Sequence, residues 1–495
     1  MYFIRIYLFA KRIFQYPQTD EYRSCANTLP MAFLRGWKRL DSVFLQQSRK
    51  GGATFMFFKS KHLNSINAGH HKNTAGSATE VMPVPAYVRI SMSQNIGAPC
   101  QPLVKKGDTV LVGQKIGDTD AFLHVPVHSS VSGKVTGIET IRNAMGGMDT
   151  LVVIESDGLQ TMDPEIKPPT VTNHKEFVDA VKASGLVGLG GASFPTWLKF
   201  NPKNMDGVKV LIINGAECEP FITSDHRTML EDAQNVIDGA LAVMKYLELD
   251  ECYIGIEDNK QDAIDNFNKL FSGQGISNMH TFPLKASYPK GAERVLIYEV
   301  TGKTCNAGVL PADLGCIVSN VTSIAFLGQY LKDGIPLIKK RMTVDGDAVN
   351  QPKNIMAPIG TPIYDVVEFC GGYKSPPSKI LMGGPMMGRA VFSDSMPIVK
   401  NNNAILVFSK EQAWIPEETA CINCGRCHKA CPFDLLPTGF ADAYQKGDVE
   451  RLNDLKVMQC MECGSCSFVC PAHRPLAFMN KLGKAMVREA MINGK

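Results

Sequence analysis

The C-terminal tail of this 495-residue chain carries one cysteine pattern twice, Cys-x2-Cys-x2-Cys-x3-Cys-Pro. It reads as Cys421, Cys424, Cys427, Cys431 and Pro432, and again as Cys460, Cys463, Cys466, Cys470 and Pro471. Three thiolates within seven residues can wrap one face of a [4Fe–4S] cube, and the fourth iron must find its thiolate elsewhere. The tail therefore has to fold so that separate stretches of chain meet around inorganic clusters.

Where two such motifs share a domain, each lends its last cysteine to the other's cluster. The expected ligand sets are Cys421, Cys424, Cys427 and Cys470 for one cluster, and Cys460, Cys463, Cys466 and Cys431 for the other. Zinc is the competing use of Cys-x2-Cys pairs. A single zinc ion leaves half of these thiols surplus, and zinc does not ask for the Cys-Pro that ends each motif. Gly425 and Gly464 lie inside the motifs, where the missing Cβ lets backbone N–H groups approach cluster sulfurs. His428 lies between ligands and reads as a surface residue, because the thiolate positions are already filled.

The length gives room for three or four domains. Hydrophobic residues make up 44% and charged residues 20%, an ordinary globular balance, and no apolar run of about 18 residues suggests a bilayer span. Work at a membrane is expected to be peripheral. The seven cysteines outside the motifs are scattered, which fits a reducing cytoplasm. The net charge of +4 is uneven, since residues 1–62 hold eleven Lys and Arg against three acids. This stretch reads as an interfacial or targeting helix or, in the reading we favour, as a basic extension over 1–55 upstream of a folded protein beginning at Met56.

Residues 85–157 alternate apolar and polar positions in short runs broken by Gly-Asp turns, which predicts a small β barrel or sandwich. The Lys105–Gln114 run, with Val125-Pro126 and Ser132-Gly133, resembles lipoyl and biotinyl carrier domains. Those carriers present a lysine at a hairpin tip. The tip here reads Asp118-Thr119-Asp120-Ala121-Phe122, so the resemblance implies the barrel without the acyl-carrier chemistry. From 174 to 330 strand-like runs such as 209–216 and 251–258 alternate with helical ones, which argues an α/β layer with a mainly parallel sheet. Residues 335–410 return to short strands with Asp-Gly and Gly-Gly turns and fit a β-grasp-like module. The helix-forming stretch between the cysteine motifs predicts an α-helical ferredoxin tail.

A second site is written in Gly185, Gly188, Gly190 and Gly191, followed by Phe194-Pro195 and Lys199. Bare backbone of this kind approaches a phosphate or flat ring closely and aims N–H groups at an anion. It is not the dinucleotide fingerprint, which needs a preceding strand and an acid at a fixed offset. A strand then ends in Asn214-Gly-Ala-Glu217-Cys-Glu219-Pro220, where α/β folds usually bind ligands. Asp225 and Arg227, just beyond, read as a helix-start ion pair.

From about residue 80 to its end the chain resembles the RnfC family, found in the ion-translocating Rnf electron-transport complex. The likeness rests on the barrel, the glycine loop, the Asn214–Pro220 motif, Gly383-Gly-Pro-Met-Met-Gly388 and both cysteine motifs. The central part also resembles the FMN-binding, NADH-oxidising flavoprotein of respiratory complex I. That resemblance implies cofactor-binding roles for Gly188, Gly190, Gly191, Phe194, Lys199, Tyr288, Gly291, Glu293, Asn320 and Ser323. It implies flavin contacts for Asn214 and Glu217, and a nicotinamide-side contact for Glu219. Four positions depart from the pattern: Leu189 replaces Arg, Ala216 Asp, Ala292 Glu, and Ser319 Asn.

The fold so implied is multidomain α/β. A lipoyl-like barrel-sandwich domain covers 56–160 and an FMN/NADH-binding α/β domain 161–334. A β-grasp-like module covers 335–410, and a helical ferredoxin domain with two [4Fe–4S] clusters covers 411–495. The implied reaction is hydride transfer from NADH to FMN, then single electrons through the clusters, with no side chain required as acid or base. The expected partners are the other proteins of the complex, integral membrane proteins and an iron–sulfur protein among them, at the cytoplasmic face of the bacterial inner membrane. No nucleic-acid partner is expected. Two further readings fit the same motifs: a cobalamin reductase of bacterial microcompartments, and a non-catalytic iron–sulfur relay with a degenerate flavin site.

Overall fold

The computed structural model describes residues 63–143 and 146–494; the basic extension and Met56 lie outside the described residues. The first strand, β1 (Thr79–Val81), does not join the barrel that follows it. It pairs in parallel with a strand near residue 354, Thr79 opposite Asn354, so residues 79–81, inside the expected 56–160 domain, join a later sheet. Three residues with little burial carry no pattern that names a partner so distant in sequence.

The barrel consists of β2 (Tyr87–Ser91), β3 (Gln101–Pro102), β4 (Thr109–Val110), β5 (Lys115–Asp118), β6 (Val127–His128), β7 (Gly133–Arg142) and β8 (Met148–Ser156). They form two small sheets, β2-β8-β7-β4 and β3-β5-β6. Val88, Ile90, Val152 and Ile154 alternate into a common core, as a period of two requires. Beyond β5, Phe122 meets Trp197 edge-on at 5.7 Å. Trp197 Nε1 also donates to the His124 carbonyl (3.0 Å), so the segment just after the hairpin tip rests on the next module while Phe122 itself stays largely exposed.

That module runs through α1 (His174–Ala183), α2 (Thr196–Lys199), β9 (Val210–Gly215), α3 (Ser224–Glu231), α4 (Ala233–Leu247) and β10 (Glu251–Glu257). It continues with α5 (Gln261–Gln274), β11 (Met279–Leu284), α6 (Glu293–Thr301), β12 (Cys316–Asn320) and α7 (Val321–Asp333). The sheet order is β11-β10-β9-β12, every pair parallel. Leu211 and Ile213 of β9 face a core shared with α1, α4, α5 and α7, while Ile212 faces α6. Helices cover both faces, which is why β9 is apolar throughout rather than alternating. Gly239 of α4 and Gly328 of α7 let two helix backbones touch. A Cβ on either would lie 2.1 Å from a carbonyl oxygen of the other helix.

The third module comprises β13 (Lys339–Asp345), β14 (Lys353–Pro358), α8 (Ile363–Phe369), β15 (Lys379–Met382), β16 (Arg389–Val391) and β17 (Ala404–Phe408). Its mixed sheet, β1-β14-β13-β17-β15-β16, is covered on one face by Ile363, Val366 and Val367 of α8. The tail contains α9 (Lys410–Ala413), α10 (Arg426–Lys429), α11 (Pro437–Gln445), α12 (Val449–Asp454), α13 (Ser465–Phe468) and α14 (Leu476–Ile492), with no strand among its described residues. Gly425 and Gly464, both with left-handed φ, turn the chain into α10 and α13 inside the cysteine motifs.

Candidate functional site

The glycine loop between α1 and α2 is pinned by three modules. The Leu189 N–H donates to Ser323 Oγ (2.9 Å) within the α/β module. The Ile96 N–H of the barrel donates to the Ser193 carbonyl (2.9 Å), and Asn401 Nδ2 of the third module donates to the Gly191 carbonyl (2.9 Å). Gly190 and Gly191 stay exposed. A Cβ at Gly190 would lie 2.9 Å from Asn320 Nδ2, and Gly191 has φ +110°. Asn320 caps α7, its Oδ1 accepting the Ser323 N–H (3.2 Å) while Nδ2 donates to Asp225 (2.7 Å). Bare backbone and the amino end of a 13-residue helix therefore lie side by side, a combination that fits a phosphate.

The acidic motif emerges from the carboxyl end of β9. Asn214 Nδ2 donates to the Gly291 carbonyl (2.8 Å), and the Gly291 N–H donates to Cys218 Sγ (3.3 Å). Glu217 accepts the N–H groups of Asp225 (2.6 Å) and His226 (3.2 Å) at the start of α3. Glu219 accepts those of Met386 (3.0 Å) and Met387 (2.8 Å). A Cβ at Gly384 would lie 2.2 Å from Glu219 Oε2 and 2.8 Å from its Cβ, so a side chain there would displace the carboxylate from the two amides. Burial pushes both carboxyls up to about 7, against the opposing pull of Lys72 on Glu217 and of the two methionine amides on Glu219.

The structure revises several expectations. Asp225 and Arg227 are not paired. Asp225 takes hydrogen bonds from Asn320 and from Thr322 Oγ1 (2.6 Å) and so belongs to the site, whereas Arg227 pairs with Glu231 (2.6 Å). Lys199 and Glu293 form an ion pair with each other (3.0 Å), and Lys199 also donates to the Val318 carbonyl. Phe194 is half-buried and its carbonyl closes the loop onto the Gly188 N–H. Tyr288 turns its hydroxyl to the Cys463 carbonyl (2.6 Å), a contact no local pattern announces. Leu189 and Ala216 are buried in apolar cores and Ser319 is buried in β12. Lys260 Nζ holds the Ala216 carbonyl (2.8 Å). The polar side chains missing at 189 and 216 are thus replaced by core packing, with the loop backbone held through its amides and carbonyls.

In the tail, Cys460, Cys463 and Cys466 line one cavity with Cys431, and Cys421, Cys424 and Cys427 line another with Cys470. Sulfurs of the first set have polar hydrogens around them. The Glu462 N–H donates to Cys460 Sγ (3.4 Å), and Asn480 Nδ2 lies 3.8 Å from Cys460 Sγ and 3.9 Å from Cys466 Sγ. N–H groups directed at buried sulfurs fit a [4Fe–4S] cluster better than an apolar core. This set also adjoins the other modules. Besides Tyr288, Arg294 donates to the Gln459 carbonyl (2.8 Å) and stacks 4.2 Å over Phe433, and a Cβ on Gly464 would meet the Met386 carbonyl at 3.0 Å. The other set is open, with Cys424 exposed beside Ile422, 67% exposed. His428 is exposed, with Nδ1 2.9 Å from the Leu435 carbonyl.

Four family descriptions match the chain in tandem. They are the RnfC Barrel sandwich hybrid domain over residues 63–159, the Nuo51 FMN-binding domain over 181–329, the SLBB domain over 341–390 and the 4Fe-4S dicluster domain over 413–471. The chain is 41% identical over 395 residues to the C-subunit of the Na(+)-translocating ferredoxin:NAD(+) oxidoreductase complex of Acetobacterium woodii, covering 78% of this chain and 88% of that protein. It is 40% identical over 403 residues to the C-subunit of the Proton-translocating ferredoxin:NAD(+) oxidoreductase complex of Clostridium ljungdahlii, covering 78% and 87%. Against the C-subunit of the Ion-translocating oxidoreductase complex of Rhodobacter capsulatus the identity is 34% over 435 residues, covering 86% and 83%.

Proposed function

The chain belongs to the RnfC family, one of the component proteins of ion-translocating ferredoxin:NAD(+) oxidoreductase complexes, and from that premise we propose that it exchanges electrons with NAD(H) in its α/β module and passes them through its tail to other proteins of the complex. FMN supplies the conversion between paired and single electrons, and two [4Fe–4S] clusters carry the single ones. Gly188, Gly190, Gly191, Asn320 and Ser323, at the amino end of α7, hold the flavin phosphate. Asn214, Glu217 and Gly291 line the flavin ring, Glu219 orients the nicotinamide, and Phe194 stacks against it. Lys199 and Glu293 form the charged rim. Tyr288 ties the flavin module to the tail. Cys460, Cys463, Cys466 and Cys431 hold the flavin-side cluster; Cys421, Cys424, Cys427 and Cys470 hold the exit cluster.

The observation that carries this reading is the continuous contact from the acidic motif to the second cysteine motif, through Glu219, Met386 and Gly464 on one side and Tyr288 and Cys463 on the other. The exposed Cys424 and Ile422 support an outward-facing exit toward an iron–sulfur partner. Among the described residues no helix is long and apolar enough to cross a membrane, which supports peripheral attachment to integral membrane proteins of the complex, at the cytoplasmic face where NADH is available. The test is anaerobic purification of the full chain with assay of iron, sulfide, FMN and NADH-dependent reduction of an artificial acceptor. The expected result is about eight irons, one FMN and activity; full iron without flavin or NADH oxidation contradicts the reading and favours a relay.

A further inference from the structure

Before the barrel begins, residues 63–81 run as a strap over the other modules. Asn64 Nδ2 donates to the Cys431 carbonyl (3.0 Å) and to Asp434 (2.7 Å). Ile66 and Tyr288 exchange backbone hydrogen bonds of 2.8 and 2.9 Å. The Phe221 N–H donates to the His70 carbonyl, and the His71 ring stacks on Phe221 at 4.8 Å. Between these contacts Lys72 Nζ reaches the turn that follows β9. It donates to the carbonyls of Glu217 (2.8 Å), Glu219 (2.9 Å) and Ile222.

Three carbonyls aimed at one point repel one another unless a group with three donors sits between them, and an ammonium is the side chain that has three. The turn needs such a clamp. Glu217 has φ +51° and Phe221 φ +70°, left-handed values that non-glycine residues adopt at a cost. With its carbonyls tied down, the turn directs the Glu217 carboxylate to the amino end of α3 and the Glu219 carboxylate to the Met386 and Met387 amides. We propose that Lys72 is a positioning residue for the electron-entry site, setting the backbone from which Glu217 and Glu219 present their carboxylates. This rests on the reading that those carboxylates flank the flavin and the nicotinamide. Lys72 acts through them and touches neither group.

The test uses the full chain, anaerobically purified, as wild type, Lys72→Met, Lys72→Gln and Asn73→Ala. Asn73 is the control on the same strap, since its amide bonds Asp345 (3.2 Å) and not the acidic turn. In Lys72→Met three carbonyls lose their donor, so the unfolding temperature falls while iron content stays near wild type, and below that temperature FMN affinity falls about tenfold or more and KM for NADH rises. Lys72→Gln falls between, and Asn73→Ala keeps wild-type values. Wild-type FMN affinity and KM in Lys72→Met overturn the proposal, as do equal losses in Asn73→Ala. If Lys72→Met does not fold, Lys72→Gln decides on the same readouts, wild-type values again overturning it. A wild type that neither binds FMN nor oxidises NADH defeats the functional reading first; an active wild type matched by Lys72→Met defeats this proposal alone.

Discussion

Glu217 and Glu219 are carboxyls whose burial favours the protonated form, so the folded protein holds protons there that the unfolded chain releases. With folded values raised from 4.5 to about 7, their contribution to stability is fully present below about pH 4.5 and is lost as the pH rises through 7. Glu217→Gln therefore flattens the fall in unfolding temperature across that window, measured by thermal scans from pH 5 to 8. Tyr288→Phe removes the hydrogen bond to the Cys463 carbonyl and costs about 1 kcal/mol in a urea titration of the tail. Family likeness makes Tyr288 legible as a site residue but not what its hydroxyl holds, because that partner lies on another module. Asp225 is hidden for a related reason. Its sequence neighbour Arg227 suggests a pair, while its real donors come from the start of α7.

At the scale of elements, periodicity is informative where an element is buried in one consistent way. The apolar run of β9 and the amphipathic α4 are readable because a parallel sheet covered on both faces and a helix covered on one leave different patterns. The lipoyl-like sheets are readable from turn chemistry. The strap is not, since its backbone and polar side chains, rather than an apolar stripe, make its contacts. Gly239 and Gly328 also carry no signal as glycines, yet they set how closely α4 approaches α7. Gly328→Ala forces a methyl against the Asn235 carbonyl and destabilises the α/β module by about 2 kcal/mol. Chemical denaturation followed by tryptophan fluorescence checks it, because Trp197 belongs to the same core.

The whole molecule is organised so that each module secures the electron-entry site of one. The barrel and the third module each contribute a hydrogen bond to the glycine loop, and Lys400 joins all three. Its buried ammonium donates to the carbonyls of Pro126 (2.7 Å) in the barrel and Gly185 (2.8 Å) at the head of the glycine loop. Burial pulls this lysine down to about 7. Lys400→Met leaves two enclosed carbonyls without donors and costs about 2–3 kcal/mol, with faster proteolysis between the barrel and α1 as the readout. The cysteine motifs announce that two groups of thiols must meet, but which group faces the flavin module depends on Tyr288, Arg294 and Met386.

That order is the central claim, and NADH reduction of Cys431→Ser and Cys470→Ser variants, followed by rapid-freeze electron paramagnetic resonance, tests it most directly. The account predicts that Cys470→Ser keeps rapid reduction of the centre held by Cys460, Cys463, Cys466 and Cys431, while Cys431→Ser loses rapid reduction of the centre held by Cys421, Cys424, Cys427 and Cys470. Rapid reduction surviving in Cys431→Ser and lost in Cys470→Ser would contradict it.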